Sequence, residues 1–196
     1  MNTIHALSVF CGSSLGNVEA FRVNAIELGQ YLAAHKIKLV YGGARVGLMG
    51  TIADAVLASQ GHVIGVIPDF IKTKEVAHEG LTQLIEVKSM QERKMKMFEI
   101  SDGAIVLPGG FGTMDELFEL LTWGQLGLHK KPIGILNTNG YYNDLIKFLD
   151  NMVTTGLLRI SNRDMLLVHH DISKLVDLMK TYEAPLKAKW MDPDQV

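Results

Sequence analysis

A doubly wound α/β fold, with a mostly parallel sheet and helices on both faces, is predicted by three features of the sequence. Short β-rich runs alternate with longer helical patterns along nearly the whole chain, which is the βαβ signature. Several of the short runs are continuously apolar, as strands buried on both faces are. Three of them pass directly into glycine-bearing loops, and in an open parallel sheet such loops emerge together at the carboxyl ends of the strands.

In chain order, the first strand is expected at residues 6–11, followed by Gly12-Ser13-Ser14-Leu15-Gly16 and a helix near 18–35. A strand at 38–41 runs into Gly42-Gly43-Ala44-Arg45-Val46-Gly47 and a helix at 48–60. Strands at 62–68 and 84–87 flank a polar loop at 72–80, and a helix covers 90–101. The strand at 104–107 leads through the third glycine loop into a helix at 113–128. The pattern closes with strand 133–136, helix 141–155, strand 165–168 and helix 172–181. No repeat or linker interrupts it, so residues 1–182 read as one nucleotide-binding domain and 183–196 as a polar tail with two prolines.

Composition excludes several classes of function. A chain of 196 residues with 47% hydrophobic content can bury a full core and fits one domain better than two. A formal charge of -2 with scattered basic residues supplies no field for nucleic acid. No apolar run reaches membrane-spanning length, and the stretch from Met1 to Cys11 lacks a basic region and a cleavage site, so it reads as a strand rather than a signal peptide. Cys11 is the only cysteine, which makes a reducing cytoplasm the expected location.

The segment Pro108-Gly109-Gly110-Phe111-Gly112-Thr113-Met114-Asp115-Glu116 carries the strongest chemical signal. Glycines let a ligand approach backbone without a Cβ in the way, and the first turn of the following helix leaves N–H groups unpaired and aimed outward. With the helix dipole, this makes a site for phosphate, although a strand-to-helix turn with a capping threonine uses the same residues. The three glycine loops should converge on one crevice, which brings Gly12, Ser13 and Gly43 to the site beside Gly109 to Gly112. Asp115 stands where a dinucleotide fingerprint needs its third glycine, and no Walker lysine follows any loop, so a mononucleotide suits the pattern best.

A carboxylate beside a phosphate site costs electrostatic energy, so Glu116 suggests chemistry as well as binding. At 100° per residue it falls at the edge of the apolar stripe Leu117, Leu120 and Trp123, facing the crevice. On the helix after Met90, the residues Met90, Arg93, Lys94, Met97 and Ser101 share one side, opposite Glu92, Lys96 and Glu99. An inward arginine needs an anionic partner, either a carboxylate of the fold or a ligand phosphate, unless its stem snorkels along the surface.

The run Met90-Gln91-Glu92-Arg93-Lys94, followed by the Pro108-to-Glu116 motif, closely resembles the LONELY GUY (LOG) family of cytokinin riboside 5′-monophosphate phosphoribohydrolases. The similarity extends through Tyr41-Gly42-Gly43, Gly47-Leu48-Met49-Gly50, Glu75, the stretch from Thr122 to His129, Asn137 and Gly140-Tyr141-Tyr142, covering about residues 5 to 180. The resemblance implies a Rossmann-like homodimer that hydrolyses the N-glycosidic bond of a nucleoside 5′-monophosphate, giving free base and ribose 5-phosphate. Carried over by position, Arg93 and Glu116 look like the catalytic pair. Lys94, Glu75, the residues Gly110 to Asp115 (including Met114) and Thr122 look like substrate contacts. Two departures stand out: Ala44 replaces the third glycine of the second loop, and Gly124 stands where alanine is common. Some relatives carry an older lysine decarboxylase label, and no feature here identifies a pyridoxal phosphate site.

The chemistry can be read from the residues independently. Breaking a ribosyl C–N bond develops positive charge on the sugar, which an ionised carboxylate near C1′ stabilises, and the same group can orient the attacking water. Glu116, placed in the first helical turn, is expected to stay ionised under the helix dipole. Arg93 could hold phosphate or ribose, or offset charge on the departing base. Cys11 reads as a buried small hydrophobe rather than a nucleophile, and His169-His170 as structural. With no HExxH or paired-cysteine pattern, neither metal nor cofactor is expected. Two other readings share the glycine loops: a non-catalytic carrier of a phosphorylated cofactor such as the molybdenum cofactor, and a broader salvage nucleosidase acting on AMP.

Overall fold

The computed structural model describes residues 3–72 and 77–185. Along the chain the elements are β1 (Ala6–Phe10), α1 (Glu19–Ala34), β2 (Lys38–Tyr41), α2 (Gly47–Ala58), β3 (Val63–Pro68), α3 (Asp69–Lys72), β4 (Gln83–Val87) and α4 (Met90–Glu99). They continue with β5 (Gly103–Val106), α5 (Phe111–Gln125), β6 (Ile133–Leu136), a 3-10 turn (Thr138–Gly140), α6 (Asn143–Thr154), α7 (Ile160–Arg163), β7 (Leu166–His169) and α8 (Ile172–Thr181). Every predicted strand and helix is present. The short helices α3 and α7 and the 3-10 turn are additions, each too brief to leave a periodic signal. The tail from residue 186 onward lies outside the described residues, as does Glu75.

The sheet has seven strands in the order β4-β3-β2-β1-β5-β6-β7. All its pairings are parallel, so the sheet is purely rather than mostly so. The chain winds outward from β1 to β4, then returns to β5 on the other side of β1 and winds outward again. The direction of winding therefore reverses between β1 and β5, and crevices for ligands open at such points, beyond the carboxyl ends of the strands.

Two apolar layers hold the helices to the sheet. Leu7 and Val9 of β1 face Ala25, Leu28 and Leu32 of α1, Ile52 and Val56 of α2, and Leu175 and Met179 of α8. Ala6 and Phe10 face the opposite layer, built on Met97 and Phe98 of α4, Leu117 and Leu120 of α5, and Leu149 of α6. This alternation along one fully buried strand is the two-residue period of the pleat. Ser8, the one polar residue of β1, is satisfied by the C-terminal end of α4, with its Oγ 2.7 Å from Ser101 Oγ and 3.2 Å from the Met97 carbonyl oxygen. Among the described residues no helix is long and apolar enough to cross a membrane.

Candidate active site

The three glycine loops meet, and backbone hydrogen bonds tie them together. The Gly12 N–H donates to the Pro108 carbonyl at 3.0 Å, joining the first loop to the third. The Leu48 N–H donates to the Gly12 carbonyl at 3.1 Å, joining the second to the first. Between them opens a cleft of about 260 Å³ whose lining includes Cys11, Gly12, Ser13, Gly42, Gly110, Phe111, Gly112 and Thr113. Arg93 and Glu116 also line it, with Val9, Phe10, Met49, Met90 and Met97 in its apolar part.

Arg93 is delivered by the start of α4. Ser89 caps that helix by accepting from the Glu92 N–H at 3.1 Å, while the Glu92 carboxylate reaches back to the Lys88 N–H at 2.7 Å. This Ser-x-x-Glu cap fixes where the helix begins and hence which residues turn inward. Arg93 is 5% exposed, and its Nη2 donates to the Gly42 carbonyl at 2.8 Å. Its Nε has no hydrogen-bond partner among the described residues, a costly condition for a buried cation. Of the two anionic partners the sequence allows, a carboxylate of the fold is not in an ion pair with Arg93 among the described residues, and the guanidinium lines the cleft.

Glu116 reaches the same cleft from α5. The helix begins at Phe111 with Gly110 as its N-cap, two residues earlier than the sequence predicts. Glu116 thus sits in the second turn, beyond the free N–H groups whose partial charge favours an anion. Burial governs instead: it pushes the Glu116 carboxyl up to about 7, with Arg93 pulling the other way and Asp115 adding to the rise. The expectation of a permanently ionised Glu116 is therefore corrected to a carboxyl that shares its proton with solvent near neutral pH.

The remaining predicted contacts divide. Gly12, Ser13, Gly110, Phe111, Gly112 and Thr113 line the cleft, and Gly109 packs against the Thr113 side chain behind it. Gly43 does not line it; it packs against Ile67 and Leu84 in a left-handed conformation, and Gly42 takes its place. Lys94 is held outside by Asp115 at 3.0 Å and Glu119 at 2.9 Å. Met114, Asp115 and Thr122 share a shallow depression on the outer side of α5 with Phe118 and Trp123, which only Phe111 also borders from the cleft. Sequence reasoning missed Gly42 as the partner of Arg93, whereas the start of α4 at Met90 agrees with the sequence and the Ser89-x-x-Glu92 cap is its physical cause.

Cys11 is buried and lines the cleft, and burial pushes its thiol well above the usual range, which disfavours the thiolate. His169 accepts from the Asp171 N–H at 2.8 Å and its ring stacks on His170, a structural arrangement. Among the described residues no cluster of His, Cys, Asp and Glu could hold a metal ion.

A family profile described as "Possible lysine decarboxylase" matches residues 49–179. The probable cytokinin riboside 5′-monophosphate phosphoribohydrolase LOGL9 of Oryza sativa subsp. japonica is 47% identical over 174 residues, 89% of this chain and 77% of its own. The cytokinin riboside 5′-monophosphate phosphoribohydrolase LOG7 of Arabidopsis thaliana is 40% identical over 195 residues, 97% of this chain and 90% of its own. Among solved structures, the molybdenum cofactor binding protein of Rippkaea orientalis superposes with a TM-score of 0.67 at 20% identity, covering 92% of this chain and 98% of that one. DNA processing protein A from Helicobacter pylori superposes at 0.55 and 18% identity, covering 90% and 81%. At such identities the structural neighbours share the fold alone, whereas identity of 40% or more across nearly the whole sequence settles kinship: the chain belongs to the LONELY GUY family of phosphoribohydrolases.

Proposed function

We propose that the chain is a phosphoribohydrolase that hydrolyses the N-glycosidic bond of nucleoside 5′-monophosphates, releasing the free base and ribose 5-phosphate. The observation that carries this reading is the placement of Arg93 and Glu116 in one cleft whose lining includes the backbone of the glycine loops. Cytokinin riboside 5′-monophosphates, named for the relatives, are the first substrates to expect, and AMP the second. The phosphate sits on the α5 N-terminus, where Gly110 and Gly112 have no atom within 4 Å of where a Cβ would stand. Ionised Glu116 stabilises the ribosyl cation and orients water toward C1′, while Arg93 supplies positive charge to an anionic part of the nucleotide. A carrier of a phosphorylated cofactor gains nothing from a carboxylate beside its anion, so Glu116 favours the hydrolase.

Incubation with a panel of nucleoside monophosphates and matching nucleosides, followed by separation of free bases, tests the proposal. Monophosphates should be cleaved and nucleosides not, since losing the phosphate contacts costs a tenfold in rate for each ~1.4 kcal/mol. Equal turnover of adenosine and AMP overturns it. Two finer proposals accompany it. A homodimer is supported by the family and by exposed apolar residues, among them Phe118 on α5, Phe148 on α6, Leu157, and Ile160 on α7, and a monomeric mass in solution counts against it. A cytoplasmic location is supported by the single reduced, buried cysteine.

A further inference from the structure

The third glycine loop is held from behind by two adjacent tyrosines that the chemistry above does not use. Tyr141 Oη donates to the Gly109 carbonyl at 2.8 Å, and Tyr142 Oη donates to the Leu107 carbonyl at 2.7 Å. The two bonds look alike and differ in consequence. A trans peptide is planar, with its C=O and the next N–H pointing in opposite directions. Fixing the Gly109 carbonyl therefore fixes the Gly110 N–H, which is turned away from Tyr141. The Leu107 carbonyl precedes Pro108, which has no N–H to orient.

The rest of the loop needs this anchor. Gly110 has nothing within 4 Å of its would-be Cβ, and although Gly109 packs at its Cα against Thr113, the Tyr141 hydroxyl is the hydrogen-bond partner of the Gly109 carbonyl and so sets the orientation of the peptide between them. On the other side, the Pro108 carbonyl is already held by the Gly12 N–H at 3.0 Å, and the Gly109 backbone interacts with the Tyr142 hydroxyl. Tyr141 is itself located by edge contacts with Phe21, at 5.3 Å between ring centroids, and with Tyr142, at 4.8 Å. Removing its hydroxyl leaves the ring in place.

We propose that Tyr141 is a positioning residue for the phosphate of the substrate: its hydroxyl holds the Gly109–Gly110 peptide so that the Gly110 N–H faces the cleft. The inference rests on the hydrolase reading for the identity of the ligand, while the anchor itself is independent of turnover. Free rotation of that peptide spends binding energy that a fixed amide saves, so the loss falls on phosphate affinity.

The test is calorimetric titration of ribose 5-phosphate into the parent, Tyr141→Phe and Tyr142→Phe, together with steady-state kinetics on AMP. Tyr141→Phe should bind ribose 5-phosphate about three- to tenfold more weakly, the worth of one hydrogen bond, with the KM for AMP raised by the same factor and kcat within about twofold. Tyr142→Phe should lower the melting temperature, because it strands a buried carbonyl, and weaken ribose 5-phosphate binding less than Tyr141→Phe does, because the Pro108–Gly109 peptide that it also touches is held by the Gly12 N–H as well. Parental affinity in Tyr141→Phe, or equal losses in both variants, overturns the assignment. A parent that binds ribose 5-phosphate but cleaves no nucleotide sinks the hydrolase reading and leaves the tyrosine comparison decisive, and a parent that does neither overturns both.

Discussion

The second and third glycine loops look interchangeable in sequence and have different occupants around them in space. In the second, the protein itself fills the room that glycine provides. A Cβ on Gly42 would overlap the Arg93 guanidinium, and one on Gly47, which is also left-handed at φ +59, would overlap the Ser13 backbone. In the third, Gly110 and Gly112 border open space at the start of α5. Glycine in the second loop serves the fold and seats the arginine; in the third it keeps a helix N-terminus clear for something from outside. Each loop is paired with one charged group of the cleft, the second with Arg93 of α4 through the Gly42 carbonyl and the third with Glu116 in the second turn of the helix it starts.

The largest effect should come from the charge that the third loop introduces. Glu116→Gln keeps size and most hydrogen bonds, so AMP should still bind while kcat falls roughly a hundredfold or more. Parental turnover in this variant removes Glu116 from the chemistry and reopens the carrier reading. Next comes the fold-serving loop. Gly47→Ala meets both a left-handed conformation and the Ser13 backbone, so it should destabilise by about 2–4 kcal/mol and lower Tm by several degrees, measured by thermal denaturation. A parental Tm there would erase the contrast between the loops.

Gly112→Ala sharpens the same contrast from the other side. The position lies in the first turn of α5 with free space around it, so alanine should raise stability by up to about 1 kcal/mol through helix propensity. Its methyl group enters the ligand's approach, and the KM for AMP should rise by about tenfold, the equivalent of roughly 1.4 kcal/mol. A melt and a KM measured on the same variant decide it, since a purely structural glycine would move both in the same direction.

How much of this could be read from the sequence follows from which interactions are local. The strands, the helices and the convergence of the loops are written in two- and 3.6-residue periods and in glycine placement, and all are present in the structure. Arg93 and Glu116 were legible because each lies on or beside an apolar stripe. Lys94 was not, because a residue one step along a helix is rotated 100° from its neighbour, and its partners Asp115 and Glu119 come from another helix. The start of α5 was placed two residues late because Gly110, rather than Thr113, is the cap, and that shift moved Glu116 out of reach of the dipole. The Tyr141 anchor spans 32 residues between a hydroxyl and a backbone carbonyl, a pairing that no spacing announces.

The smallest expected effect tests whether the third loop's glutamate is held at a cost to the fold. Its folded pKa of about 7 lies above its ordinary value of 4.5, so between these limits the folded chain binds more protons than the unfolded one. Stability from this group is therefore fully present at acid pH and is lost as pH rises from 4.5 through 7. Activity should run the other way: kcat/KM rises through about pH 7 as the carboxylate forms, with the substrate phosphate, ionising near pH 6, contributing only to the lower part. Glu116→Gln removes the titration, so it should match the parent's Tm at about pH 4, below both values, and exceed it at about pH 8 by the equivalent of about 1–2 kcal/mol, discounted for partial exposure. Melting curves of both proteins at the two pH values provide the measurement. A Tm difference that does not grow with pH means that the carboxylate is not strained by burial, and the pH dependence of turnover must then come from the substrate alone.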